Sequence, residues 1–265
     1  MKHKYFLILI VSILSFTSAG KAQTKPDPSF QLYILIGQSN MAGRGPITDD
    51  IKNEGNDRVF MFTRDSQWVK ARHPVHFDKP KVAGAGPGLA FGIKMAEADP
   101  NVKIGLIPCA VGGTPIEHWV PGAYDEATKT HPYDDAVKRI KAAMKYGVVK
   151  GVIWHQGESN SSPERAVGYL DKLTALINRM REVVDNKQLP FIAGELGRYR
   201  PGYSNINQQL ALLPQKVPFT GLATSEGLTD KGDTTHFNGK SADELGKRFA
   251  VQMLKVQKQF SKSHQ

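Results

Sequence analysis

The sequence predicts an α/β fold in which one mainly parallel sheet carries helices on both faces. Three observations support this. Apolar runs of strand length recur along the chain, amphipathic helical segments separate them, and small or polar residues form the turns that follow several of them. No internal repeat or linker divides residues 23–265, which therefore read as a single domain.

In chain order, Lys2 and Lys4 precede the apolar run Tyr5 to Phe16, and small residues follow up to Ala22. This is the pattern of a cleavable signal peptide over residues 1–22, and the run is shorter than the ~20 residues a membrane span requires. The expected product is secreted or periplasmic. The first strand is Tyr33-Ile34-Leu35-Ile36, running into Gly37-Gln38-Ser39-Asn40-Met41-Ala42-Gly43. A serine there is either a nucleophile at the carboxyl edge of a sheet or a helix N-cap, and the stretch alone does not decide. Arg58 to Thr63 forms a second strand, and Asp65 to Lys81 reads as a long surface loop. Gly84 to Gly88 introduces a helix but lacks the Gly-Lys-Ser/Thr of a phosphate loop.

A third strand, Val102 to Cys109, exits through Ala110-Val111-Gly112-Gly113-Thr114, where paired glycines suit either an anion nest or a plain turn. The helix Tyr133 to Tyr146 leads to a fourth strand, Val148 to Trp154, and to His155-Gln156-Gly157-Glu158. Ser162-Pro163 opens one long helix whose apolar face runs to Val184. Phe191 to Glu195 and Phe219 to Thr224 are strands, with a polar helix over 205–215 between them. Gly232-Asp233-Thr234-Thr235-His236 precedes a final helix that opens with the capping box Ser241 to Glu244.

Composition narrows the function. The formal charge is +10, and without Lys2, Lys4 and Lys21 it is +7. The basic residues lie at helical spacing and no recognition motif accompanies them, so neither a nucleic-acid nor a membrane partner is expected. Cys109 is the only cysteine and lies in an apolar run, as a small buried hydrophobe does. No His-Glu-x-x-His is present, and Met41 stands where the Gly-x-Ser-x-Gly of an α/β-hydrolase needs its second glycine.

In a parallel sheet all carboxyl ends share one edge, so the turns at Ser39, Gly112-Gly113 and Gln156/Glu158 and the Asp233/His236 segment can converge. Together they supply what acyl transfer to serine requires: nucleophile, base, orienting acid and oxyanion donors. Gly37 to Gly43, Gly86-Pro87-Gly88, Gly112-Gly113-Thr114 with Trp119, His155 to Glu158, and Asp233 to His236 resemble the blocks of SGNH hydrolases. The likeness is greatest to the sialate O-acetylesterase and acetylxylan esterase branch, carbohydrate esterase family six. It spans nearly the whole of 23–265.

The resemblance implies a three-layer α/β/α sandwich of flavodoxin-like type and a serine carboxylic-ester hydrolase acting on an acetylated oligo- or polysaccharide. It implies no cofactor and no metal. Ser39 would be the nucleophile, His236 the base and Asp233 its orienting acid, with Glu158 the alternative acid. The amides of Ser39 and Gly112, the Gln156 side chain and the helix entered at Asn40 would hold the oxyanion. His155 is expected to be a supporting hydrogen-bonding residue. Trp119 and Trp154 are candidates to stack on sugar rings, with the core the other place for Trp154, and Arg44 and Arg198 are candidates to meet a charged sugar. Two other readings stay open: an esterase of a non-carbohydrate ester, and a noncatalytic glycan-binding module.

Overall fold

Strand β1 (Asp27–Gly37) lies at the centre of a seven-stranded sheet of order β3-β2-β4-β1-β5-β6-β7. The computed structural model describes residues 25–262, so the expected signal peptide lies outside the described residues. The remaining strands are β2 (Val59–Phe62), β3 (Trp68–Lys70), β4 (Lys103–Pro108), β5 (Gly147–His155), β6 (Phe191–Gly194) and β7 (Thr220–Ala223). All neighbours pair in parallel except β2 and β3. In the parallel part β4 stands between β2 and β1, whereas the flavodoxin order pairs the first two strands directly.

The apolar strands are continuous because both faces of the sheet are covered. On β1, Leu32, Ile34 and Ile36 enter one core layer, while Tyr33 and Leu35 enter the other. Helices α4 (Pro132–Ala143), α5 (Pro163–Ala166), α6 (Tyr169–Val183), α7 (Ser204–Ala211) and α8 (Leu213–Lys216) feed the first layer. Helices α1 (Ser39–Ala42), α3 (Gly88–Ala98) and α9 (Gly239–Lys262) feed the second. The short α2 (Asp49–Lys52) buries Ile51. Among the described residues, no helix is long and apolar enough to cross a membrane.

Several elements differ from the sequence reading: α2 is absent from that reading, and the helix expected over 205–215 divides into α7 and α8. The long 65–81 loop contains β3, which returns antiparallel to β2 and sets Trp68 4.8 Å from both Phe30 and Phe62. The helix expected to run from Ser162 breaks at Gly168, whose φ of +70° separates α5 from α6. Helix α9 starts at Gly239, ahead of the expected capping box. The Asn238 side chain accepts the Ser241 amide at 2.8 Å, while the Ser241 hydroxyl accepts the Thr229 amide at 2.9 Å.

Register places the strand exits side by side. Gly37 is level with His155, and Leu35 with Pro108. The segments that follow β1, β4 and β5 therefore emerge together at the carboxyl edge.

Candidate active site

Glycine is required where β1 leaves the sheet. Gly37 has φ +133°, and a Cβ there would sit 2.1 Å from the His155 carbonyl oxygen. The Gln38 amide donates to that same oxygen at 2.9 Å, fixing the path into the single turn of α1. Gln38 holds the N-cap position and Ser39 is the first helical residue, so the cap reading of Ser39 gives way. Ser39 is 7% exposed. Its amide is one of those a helix leaves without an intrahelical partner.

The opposite wall is the segment before α9. Asp233 Oδ1 accepts the amides of Thr235 at 3.0 Å and His236 at 2.8 Å, and Oδ2 accepts from His236 Nδ1 at 2.7 Å. The Asp-x-x-His spacing thus lets one carboxylate hold both the backbone and the ring of the histidine. Thr234 lies between them in the left-handed region, at φ +53°. Partial burial pushes the Asp233 carboxyl up, but the His236 amide, its imidazole and the Thr235 amide outweigh that and hold it at about 2. An ionised carboxylate only accepts, so Nδ1 carries the hydrogen. In the neutral ring Nε2 then accepts from the Ser39 hydroxyl, 3.0 Å away.

Asn40 clamps these two halves together. Its Nδ2 donates to the Thr235 carbonyl at 3.0 Å and to Glu158 Oε1 at 2.6 Å, and its Oδ1 accepts the Phe237 amide at 3.0 Å. Both residues flanking His236 are therefore tied to the residue after Ser39. Glu158 reaches this assembly through Asn40, and Asp233 occupies the ring nitrogen that a second acid would need. Tyr199, which the sequence did not single out, donates its hydroxyl to the Thr235 carbonyl at 3.1 Å and packs edge-on against Phe237. Burial pushes the His155 imidazole down, so it is neutral; its Nε2 donates to the Glu195 carbonyl at 3.0 Å.

The expected oxyanion donors need correction. The Gly112 amide donates to Asp78 Oδ2 at 2.8 Å. Fully buried Gln156 directs Nε2 to Asn160 Oδ1 at 2.7 Å, with Gln38 Oε1 and the Thr114 carbonyl at 3.2 and 3.3 Å. The Tyr169 hydroxyl donates to the Gln156 carbonyl at 2.7 Å. Both Asn40 amide hydrogens are likewise engaged, leaving only its backbone N–H. Trp119 does not face the site: it is fully buried and stacks edge-on against Trp154 at 5.3 Å. Arg44 is also internal, pairing with Asp78 at 2.6 Å. Asp78 gave no sequence signal, because both its partners are 34 residues away. Arg198 is half-exposed and pairs with Glu195 at 3.1 Å.

A serine, a histidine and an aspartate joined in this order at the carboxyl edge of a parallel sheet define an α/β protein of the serine-hydrolase class. Residues 29–255 match the family model of carbohydrate esterases described as sialic acid-specific acetylesterases, and the chain belongs to that family. It is 32% identical over 248 residues to a probable carbohydrate esterase of Arabidopsis thaliana, covering 86% of this chain and 92% of the plant protein. The X-ray structure of that Arabidopsis protein superposes with a TM-score of 0.77 at 30% identity, over 86% of this chain and 99% of the other. The crystal structure of NanS gives a TM-score of 0.71 at 17% identity, over 89% and 99% of the two chains, a likeness of fold alone.

Proposed function

We propose that the protein is an exported carbohydrate O-acetylesterase that hydrolyses its substrate through an acyl-enzyme on Ser39. The observation that carries this reading is the relay Ser39 Oγ–His236 Nε2 and His236 Nδ1–Asp233, at 3.0 and 2.7 Å. In the first half-reaction Oγ attacks the acetyl carbonyl carbon while His236 Nε2 takes the hydroxyl proton. The tetrahedral oxyanion forms beside the Ser39 amide. Collapse expels the sugar oxygen, which takes the proton from Nε2. Water then attacks the acetyl-serine, gives its proton to the same nitrogen, and acetate leaves as Oγ recovers it.

Asp233 holds the ring in the tautomer this needs and stabilises its charged form. Its depressed carboxyl supports an ionised state throughout the neutral range. The His236 and Asp233 side chains are 22% and 37% exposed, a shallow setting that suits a short acyl group carried on a bulky glycan. Acetate release from acetylated xylan, acetylated sialic acid and other acetylated glycans tests the reading, with Ser39→Ala as control. No release from any glycan, with turnover of long-chain esters, would overturn it. Export is tested by sequencing the N-terminus of the secreted protein, expected to begin at Gln23.

A further inference from the structure

Apart from the Ser39–His236 assembly, three distant segments bring a second set of polar side chains together. Glu54 follows α2, His73 follows β3, and Asp243 lies near the start of α9. One ligand-capable atom from each lies within 4.8 Å of the other two. Glu54 and Asp243 also line a pocket of about 420 Å³, with Lys247 at its wall.

Hydrogen bonding inside this cluster is incomplete. Both ring nitrogens of His73 are buried without a partner, and so is Oδ1 of Asp243. Asp243 is 5% exposed, and its other oxygen accepts from Lys247 Nζ at 2.9 Å. Buried polar atoms in folded proteins normally find partners, and two converging carboxylates repel each other unless a proton or a positive charge lies between them. Lys247 meets one oxygen of this set and leaves the imidazole and Asp243 Oδ1 unanswered.

We propose that Glu54, His73 and Asp243 form a divalent-cation site for a borderline ion of the Zn²⁺ type. One imidazole and two carboxylates are ligand types such an ion takes, with water from the pocket completing its shell. Ligand bonds of about 2.0–2.2 Å put two donors on one ion at most about 4.4 Å apart. Around a tetrahedral ion such donors sit about 3.3–3.6 Å apart, so the three side chains draw together by up to about 1.5 Å as they close on it. Glu54 precedes and His73 follows the β2–β3 hairpin, so the ion ties both ends of that hairpin to α9. Its role is structural, and no step of ester hydrolysis passes through it.

The test uses the purified protein, stripped with a chelator and titrated with ZnCl₂ by calorimetry, with CaCl₂ in a parallel arm. One saturable equivalent of Zn²⁺ is expected, and Co²⁺ in its place should give visible d–d absorption. Free Zn²⁺ at 100 times its Kd should shift the folding equilibrium about 100-fold toward the native state. Glu54→Gln and Asp243→Asn should abolish binding and the shift, while Glu54→Gln keeps wild-type ester hydrolysis. Glu54→Gln is the deciding arm, because it alters a half-buried turn rather than the start of α9. Absence of saturable binding by the wild type, or equal binding by Glu54→Gln, overturns the site. Tighter binding of Ca²⁺ than of Zn²⁺ overturns the assignment of ion.

Discussion

Asp78→Ala offers the sharpest test of how the β4 turn is held. The carboxylate accepts from Arg44 Nη2 at 2.6 Å and from the Gly112 amide at 2.8 Å, and the two charged side chains are only 4% and 5% exposed. Truncation leaves the Arg44 guanidinium buried without a counter-charge. Charges about 4 Å apart at an effective dielectric near 20 attract by about 4 kcal/mol. Breaking one side of a buried pair costs about 3–5 kcal/mol. We expect Asp78→Ala to lose about 4 kcal/mol in urea denaturation. Asp78→Asn, which keeps an acceptor but not the charge, should lose about 1.5–3 kcal/mol. The double variant Arg44→Met/Asp78→Leu removes both charges and should recover most of the stability, because a buried pair is often replaceable by apolar packing. Activity should stay low in all three, since the Gly112 amide loses its carboxylate acceptor and the turn beside Ser39 loosens. A loss below about 1 kcal/mol in Asp78→Ala would refute the argument, showing that the pair is hydrated and screened.

Three further outcomes follow from the same geometry. Asp233→Asn should lower kcat about 10³–10⁴-fold by reversing the imidazole tautomer, whereas Glu158→Gln, which leaves Asn40 an acceptor, should cost less than about 10-fold; the reverse order in acetate release would make Glu158 the acid. Burial pushes the His76 imidazole down to about 4, with the Asp78 charge opposing that and Arg44 reinforcing it. The unfolded chain therefore binds a proton that the native state refuses, so stability is full above about pH 6.5 and falls by up to about 3 kcal/mol toward pH 4. His76→Gln should flatten that limb in thermal melts, and an unchanged acid slope would exclude His76 as its source. Gly37→Ala should cost about 3 kcal/mol or more and abolish activity, because its Cβ meets the backbone of His155; a soluble variant with a wild-type melting temperature would contradict the reading.

What the sequence revealed depended on how far apart the interacting residues lie. The buried parallel strands were legible from the apolar runs that end them, since the carboxyl halves of β1, β4 and β5 are buried on both faces. Strand β3 was not, because three residues inside a polar loop, only one of them a large aromatic, carry no period. Asp233 and His236 were legible as a pair because their contact is local, closed within one turn. The fate of the amides was not: whether Gly112 faces the site or Asp78 depends on a loop 34 residues away, and Gln156 turns inward to a network completed by Asn160 and Tyr169. Trp119 has the composition of a sugar-stacking residue, but only the packing of the first core layer shows that it lies inside. The cluster of Glu54, His73 and Asp243 spans nearly the whole domain, so no local spacing announces it.

The Asn40 clamp has a consequence for how the protein matures. Its bonds to Thr235 and Phe237 close loops of 195 and 197 residues, among the longest contacts the chain can make. Contacts of such high order carry the largest closure entropy and are expected to form late, after local helices and adjacent strand pairs. During synthesis the Ser39 segment is made first and His236 last, so a partly translated chain contains the serine without the imidazole that lies 3.0 Å from it in the folded protein. On the proposed mechanism, catalytic competence is coupled to a late docking event of folding, and hydrolysis reports a finished molecule.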